Sequence, residues 1–231
     1  MYQRELYLIP QGGFGNRMWS YETAYQINKN SGYNSKIIMD EKYFPEVKYL
    51  DFPYVEQGKL IKKSVTRVKY DDNIRCDYKV EDPVTLKDKE LEQDIKNRMK
   101  DVIGVHIRRG GVVDELNPNH PSHGIQPIIP NDYYRKTMNK YKDKKFYIST
   151  DGKWNQVKWL WDEYNIINKW NKVKEPMGHY FPFTKVEALD LFHLIHSEIF
   201  IMGLSSWSEW VSVQRRHSNC IVPPINFEKV K

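Results

Sequence analysis

The sequence predicts an α/β protein made of two Rossmann-like halves, each with a parallel sheet. Three observations carry this. ELYLIP, a glycine-rich loop, a helical stretch and SKIIMD follow one another over residues 5–40, which is the βαβ order of a parallel sheet. A second series of strand and helix patterns starts directly after residue 100 with the apolar run DVIGVHI. No internal repeat and no low-complexity linker breaks the chain, so the two series read as adjoining domains, 1–100 and 101–231.

In the first half, residues 5–10 read as a strand and roughly 16–30 as a helix that ends at Gly32, a residue suited to a helix C-cap. Between them lies GGFGNRMW at 12–19, with three glycines in four positions. Glycine costs entropy in regular structure and serves where the backbone takes positive φ or a ligand comes close. A tight strand-to-helix turn and a ligand loop are both open on this evidence. SKIIMD at 35–40 is the second strand. Residues 41–85 show aromatics, scattered prolines and short β-like runs such as SVTRVKY, with no clear period. LKDKELEQDIKNRMK at 86–100 reads as a charged helix with Leu91, Ile95 and Met99 on one apolar face.

In the second half, DVIGVHI is a buried-strand run and RRGGVVDELNPNHPSHGIQPII a long polar loop. NDYYRKTMNKYK reads as a helix, KKFYIST as a strand and GKWNQVKWLWDEYN as a helix. KVEALDLFHLIHS is a further helix, SEIFIMG a strand, and SSWSEWVSVQRR the last helix.

At 231 residues the chain is long enough to bury a substantial core in one large domain or two smaller ones. Lys and Arg number 36 against 30 Asp and Glu, a balance of +6 that suits anionic ligands such as phosphates and also plain solubility. No arginine-rich stripe or nucleic-acid module supports a nucleic-acid partner. Cys76 and Cys220 form no metal spacing and no disulfide framework. They read as free thiols in a reducing compartment, with one long-range bridge as the alternative. No apolar stretch reaches the ~20 residues of a membrane span, and residues 1–30 lack a secretory signal. The expectation is a soluble, cytoplasmic protein, which can equally be a domain of a longer chain.

Three strand ends carry residues with chemistry. Val105-His106-Ile107-Arg108-Arg109-Gly110-Gly111 places two arginines where a buried strand gives way to a loop. Ligands of open parallel sheets bind outside the carboxyl ends of strands. Arginine's planar fork suits phosphate oxygens, so the pair reads as a pyrophosphate clamp, with a surface basic pair as the plain alternative. Ser149-Thr150-Asp151-Gly152 offers hydroxyls and a carboxylate for a ribose or base, or simply a turn with Asp151 as N-cap. Met202-Gly203-Leu204-Ser205-Ser206-Trp207-Ser208-Glu209-Trp210 offers hydroxyls and amides at a helix N-terminus, which is an anion site or a serine cap. All three ends fall on one edge of the second sheet, and that convergence favours a nucleotide diphosphate.

The chain contains no Asp-x-Asp pair to hold Mg²⁺ or Mn²⁺ under a sugar nucleotide, no Walker loop and no GxSxG elbow. His179, His193, His196 and His217 lack ligand spacing. The arginines would then do the neutralising work of a metal on a leaving diphosphate.

GGFGNRMW, HIRRGG, FYISTDGKW and EALDLFHLIHSEIFIMGLSSWSEW, in this order, resemble the motifs of the fucosyltransferase superfamily, which includes α1,2-, α1,6- and protein O-fucosyltransferases. The agreement covers most of the chain, with 41–100 unmatched. The resemblance implies a GT-B-like architecture, two Rossmann-like domains with parallel sheets facing a cleft. It implies a GDP-fucose donor, a glycan hydroxyl as acceptor, inverting transfer, and no metal or other cofactor. The N-terminal domain would be the acceptor side and the C-terminal domain the nucleotide-sugar side. Arg108 or Arg109 would hold the β-phosphate, and His106 would support that loop or touch the nucleotide. Asp151 would meet base or ribose, Ser205 and Ser206 the phosphates, while Gly13, Gly15 and Asn16 would line the ligand site from the first domain.

Two positions depart from the family pattern: Gly111 and Gly152 stand where aspartates are expected. An inverting transfer needs a general base for the acceptor hydroxyl. Asp114 or Glu115 would supply it, at the position where α1,6-type relatives carry a carboxylate. The departures keep two alternatives open. One is a rhamnosyl or other transferase using a UDP- or dTDP-sugar, and the other is a non-catalytic sugar-nucleotide or glycan-binding module of the same fold.

Overall fold

The computed structural model describes residues 4–8, 14–32, 35–59, 66–68, 81–109, 129–170 and 183–223. The chain divides into two compact units, Met1–Glu92 with Met177–Leu189, and Gln93–Pro176 with Asp190–Lys231. The division therefore falls at 92/93, before the expected position after residue 100. A stretch that the sequence reading gave to the second half joins the first, and its Phe183 stacks on Phe14 with ring centroids 4.6 Å apart. No described helix is long and apolar enough to cross a membrane. Cys220 is a free thiol, while Cys76 lies outside the described residues.

The first unit starts with β1 (Arg4–Leu8), α1 (Phe14–Asn30) and β2 (Ser35–Met39). It continues through a 3₁₀ turn at Pro45–Lys48, β3 (Leu50–Asp51), β4 (Val55–Gln57), β5 (Thr66–Val68) and β6 (Thr85–Leu86). Its sheet runs β4-β2-β1-β5 with every pair parallel, and β3 pairs antiparallel with β6. Helix α1 begins two residues earlier than the sequence suggests, so Gly15 lies in its buried first turn and not in the preceding loop. Gly32 takes φ 71° just past the helix end, as its assignment to the cap requires.

Helix α1 is buried on nearly all sides, by Met18, Trp19, Tyr21, Ala24 and Tyr25 but also by Arg17 and Glu22. Arg17 Nε donates to Glu46 Oε1 at 2.5 Å, and both residues are fully buried. Burial raises the Glu46 carboxyl above its ordinary value, against the lowering effect of Arg17. The Asn28 side chain accepts the amide of Ser35 at 2.9 Å and so fixes the end of α1 to the start of β2.

Helix α2 (Lys89–Arg98) runs across the division. It is shorter than the 86–100 expected, because Thr85 and Leu86 pair in β6 and Asp88 accepts the amide of Leu91 at 3.0 Å as a cap. Ile95 and Met99 are buried, as the apolar spacing requires, with Leu91 half-buried.

The second unit contains β7 (Val102–Ile107), α3 (Asn131–Met138), β8 (Lys145–Thr150), α4 (Trp154–Glu163), α5 (Lys185–His196, from Asp190 onward), β9 (Ile199–Ile201), α6 (Ser206–Gln214) and β10 (Cys220–Ile221). Its sheet runs β10-β9-β7-β8, again all parallel. Every residue of β7 is buried, which is the signature of a central parallel strand covered on both faces. Ile103, Val105, Ile107, Phe146, Ile148 and Ile201 from the strands pack with Tyr134, Met138, Val157 and Leu160 from the helices. From β7 the chain moves to β8 on one side and later to β9 on the other. The carboxyl end of β7 is therefore the switch point of this sheet, where open parallel sheets bind ligands.

Candidate functional site

The β7–β8 ladder closes at the pair Ile107–Thr150. Immediately beyond it the two loops are joined, because the Arg109 amide donates to Asp151 Oδ1 at 2.5 Å. The Arg109 side chain turns inward and is 4% exposed. Its guanidinium donates to the carbonyls of Arg108 at 3.1 Å and Ile129 at 3.0 Å and to the side chain of Asn131. It lies over the ring of Tyr134, 5.6 Å from the centroid. Arg109 thus ties the end of β7 to the start of α3. Arg108 is half-buried, and among the described residues no hydrogen bond or ion pair holds its guanidinium. Of the two arginines that look alike in sequence, Arg108 is the one with donors to offer a ligand.

His106 sits one residue before the end of β7, with its side chain against the start of α6. Its Nδ1 is 2.5 Å from Ser208 Oγ and 3.5 Å from Ser205 Oγ. Its ring lies nearly parallel to Trp207 with centroids 6.3 Å apart. The main-chain carbonyl of His106 accepts from the Tyr134 hydroxyl at 3.3 Å. Burial, reinforced by the nearby Arg108 charge and opposed by Asp151, holds the imidazole down to about 4. The ring is therefore neutral near pH 7. Burial, with neighbouring Asp151 adding to it, also raises the Tyr134 phenol, so it stays protonated.

Ser205 is the N-cap of α6, with its Oγ accepting the Ser208 amide at 3.1 Å. Ser206 is the first helical residue and half-buried. Capping and anion binding are compatible here, because a cap satisfies one amide of the first turn and leaves the positive end of the helix dipole in place. Gly203, ahead of the cap, donates its amide to Ser208 Oγ at 3.2 Å. A Cβ on Gly203 would stand 2.8 Å from the carbonyl oxygen of His106, so only glycine lets this strand end pass beside β7.

Beyond β8, Thr150 Oγ1 accepts the Gly152 amide at 3.0 Å. A Cβ on Gly152 would meet Val157 Cγ1 at 2.7 Å and Arg109 Cγ at 3.0 Å. The space that an aspartate would need is filled by Val157 and the inward-turned Arg109. Behind this edge Asp190 of α5 accepts from the hydroxyls of Tyr147 and, at 3.4 Å, Ser149.

The structure thus brings His106, Asp151, Ser205 and the Arg108–Arg109 pair to one edge of the second sheet. Gly15 and Asn16 lie in the first turn of α1 in the other unit, with Asn16 exposed. Gly13, Gly111, Asp114 and Glu115 are outside the described residues. The sequence reading gives no individual role to Ser208 or Asp190, although both lie within motif stretches at this edge. The signal for Ser208 was its place three residues after the cap, and for Asp190 a lone carboxylate between two leucines of an apolar helix. Among the described residues no group of three His, Cys, Asp or Glu side chains is placed to hold a metal ion.

No protein-family model matches the chain, and no curated protein matches it. Solved structures do. POFUT1 in complex with GDP aligns over 96% of this chain and 99% of its own, with TM-score 0.53 and 9% identity. The selenomethionine form of fucosyltransferase NodZ from Bradyrhizobium aligns over 91% and 92% respectively, with TM-score 0.47 and 13% identity. NodZ α-1,6-fucosyltransferase soaked with GDP-fucose aligns over 92% and 93%, with TM-score 0.46 and 12% identity. The chain shares the fold of POFUT1 over almost its whole length. The α/β class expected from the sequence, with two parallel-sheet Rossmann-like units, is the observed one.

Proposed function

We propose that this chain is a glycosyltransferase that moves fucose, a 6-deoxyhexose, from GDP-fucose to a glycan hydroxyl. The observation that carries the reading is the edge where Arg108, a neutral His106 and the capped N-terminus of α6 converge at the switch point of a parallel sheet. POFUT1, solved with GDP, has the same fold.

In transfer from a nucleoside diphosphate sugar, the bond from the anomeric carbon to the β-phosphate oxygen breaks and negative charge grows on that phosphate. Arg108 supplies a permanent positive charge for it, and His106, being neutral, acts as a hydrogen-bond donor and not as an acid. The first turn of α6, with Ser205 and Ser206, adds the helix dipole. The arginine takes the neutralising role that an Asp-x-Asp-bound metal fills elsewhere, so the reaction is read as metal-independent. Asp151 holds the Arg109 amide and thereby the loop that presents Arg108. The reading gives an inverting course, with Asp114 or Glu115 removing the acceptor proton on the face opposite the nucleotide. Gly13, Gly15 and Asn16 are read as donor-binding residues, and the protein would work in the cytoplasm.

The test is thermal stabilisation by GDP, UDP, dTDP, CDP and ADP, each with and without EDTA, because a ligand bound only to the folded state raises stability with concentration. Selective stabilisation by GDP that survives EDTA, followed by turnover of GDP-fucose to a product of anomeric configuration opposite to the donor's, is expected. Gly152 favours one second reading. No carboxylate stands there to recognise a guanine, and selective stabilisation by UDP or dTDP would move the donor to rhamnose or another sugar. Tight nucleotide binding without turnover would instead mark a binding module, and no stabilisation by any nucleotide would overturn the reading.

A further inference from the structure

Ser208 is fully buried, contributes nothing to the ligand edge directly, and yet sits at the centre of a hydrogen-bond network. Its Oγ accepts the Gly203 amide at 3.2 Å and the Ser205 hydroxyl at 3.4 Å. Ser205 Oγ in turn accepts the Ser208 amide at 3.1 Å. The remaining close neighbour of Ser208 Oγ is His106 Nδ1, at 2.5 Å.

The protons in this cluster can be placed by elimination. A hydroxyl has one proton to donate and two lone pairs, and a neutral imidazole has one donor nitrogen and one acceptor. Gly203 and Ser205 occupy the lone pairs of Ser208 Oγ, so the Ser208 proton is left for His106 Nδ1. In the opposite arrangement, with Nδ1–H donating, Ser208 Oγ would face three donors or the buried Ser205 proton would lose its acceptor. An unmade hydrogen bond in a buried site is costly.

We propose that Ser208 is a positioning residue that fixes His106 in the Nε2–H tautomer, so that the outer ring nitrogen is a hydrogen-bond donor toward an anionic ligand. No described residue meets Nε2. The neutral state of the ring near pH 7 makes the tautomer the deciding variable, because a protonated imidazole would donate from both nitrogens. Stacking against Trp207 holds the ring plane. The charged groups that act on it are Asp151 beyond β8 and Arg108 on its own strand end; the Tyr134 hydroxyl on α3 meets the main-chain carbonyl of His106. The proposal rests on the donor-site reading for the identity of the anion, but not for the tautomer.

Two measurements separate these parts. Long-range ¹H–¹⁵N correlation on histidine-labelled protein at pH 7, with His106 assigned from the spectrum of His106→Gln, reads the tautomer without any ligand. The expected result is an unprotonated Nδ1 and a protonated Nε2, and a protonated Nδ1 in the wild type would overturn the proposal. Ser208→Ala should shift the tautomer population and weaken GDP binding by about tenfold, while Ser208→Thr, which keeps the hydroxyl, should restore both. An Ala variant with wild-type tautomer and wild-type GDP affinity would also overturn it. Failure of GDP to bind the wild type would overturn the ligand half together with the functional reading, and the spectrum would still decide the tautomer.

Discussion

The Arg109 amide and Asp151 Oδ1 meet at 2.5 Å just past the last paired residues of β7 and β8. This contact locks the loop that carries Arg108 and Arg109. One arginine then faces the core and the other does not.

That division of labour gives the first prediction. Arg109→Ala removes the donor held by the Ile129 carbonyl and Asn131 and empties space beneath Tyr134. It should cost about 3 kcal/mol of stability, read as a lower urea midpoint. Arg108→Ala should leave the urea midpoint within about 0.5 kcal/mol of wild type and weaken GDP binding by roughly ten- to a hundredfold in calorimetry. The reverse pattern would show that the arginines had been assigned the wrong way round.

Gly152 gives the second. Restoring an aspartate there would follow the family pattern, but its Cβ would press on Val157 and on the Arg109 stem. Gly152→Asp should therefore destabilise the protein by about 1–3 kcal/mol, the usual cost of overpacking, without improving nucleotide affinity. The paired variant Gly152→Ala should show most of the same loss, because the clash begins at Cβ. A Gly152→Asp protein as stable as wild type that bound GDP more tightly would refute this account.

The strand ends that build the site were legible in sequence because each has a local signature. The DVIGVHI run is apolar enough to demand a buried strand, and arginine, aspartate or serine directly after such runs marks the ligand edge. What sequence could not show is which way a side chain turns. Arg109 faces inward because of Ile129 and Asn131, residues 20 and 22 positions away. The tie between His106 and Ser208 spans 102 positions, and no local pattern encodes it. Residues 41–85 were unreadable for a different reason. Among the described residues their strands are two or three residues long, too short for any period to show. The same brevity hid β10, which is only Cys220–Ile221. The start of α1 was misplaced because Gly15, a residue of low helix propensity, is held in the first turn by burial.

The third prediction concerns pH. His106 is held down to about 4 in the folded protein, against about 6.5 when unfolded. Between those values the unfolded chain binds a proton that the folded protein refuses, so stability falls as pH drops from about 6.5 to about 4 and this contribution levels off below. The loss attributable to His106 is on the order of 3 kcal/mol. Arg108 and Asp151 face the ring and act in opposite directions on it, and burial outweighs both. The check is the difference between wild type and His106→Gln in urea unfolding at pH 7 and pH 4.5, since other carboxylates titrate in both proteins. The variant should lose less stability over this interval, and parallel curves would mean that the fold does not lower the proton affinity of His106.

The last prediction lies at the far end of α5. The Arg215 Nη1 atom donates to the carbonyls of Leu194, Ile195 and Ser197, at 2.9, 2.6 and 2.7 Å, and Nη2 reaches the Glu198 carbonyl at 3.4 Å. The last carbonyls of a helix have no partner within it, so one guanidinium from the end of α6 closes the end of α5 and fixes the turn into β9. Ordering that turn sets where β9 enters the sheet, and hence where Gly203 and Ser205 fall beside His106. Arg215→Ala should cost about 2 kcal/mol and should raise amide exchange selectively at Ser197 to Ile199. Arg215→Lys keeps the charge but replaces a planar fork with a single ammonium, so it should recover less than half of the loss. If lysine restored full stability, charge at the helix end would be the whole effect and the carbonyl cap would be incidental.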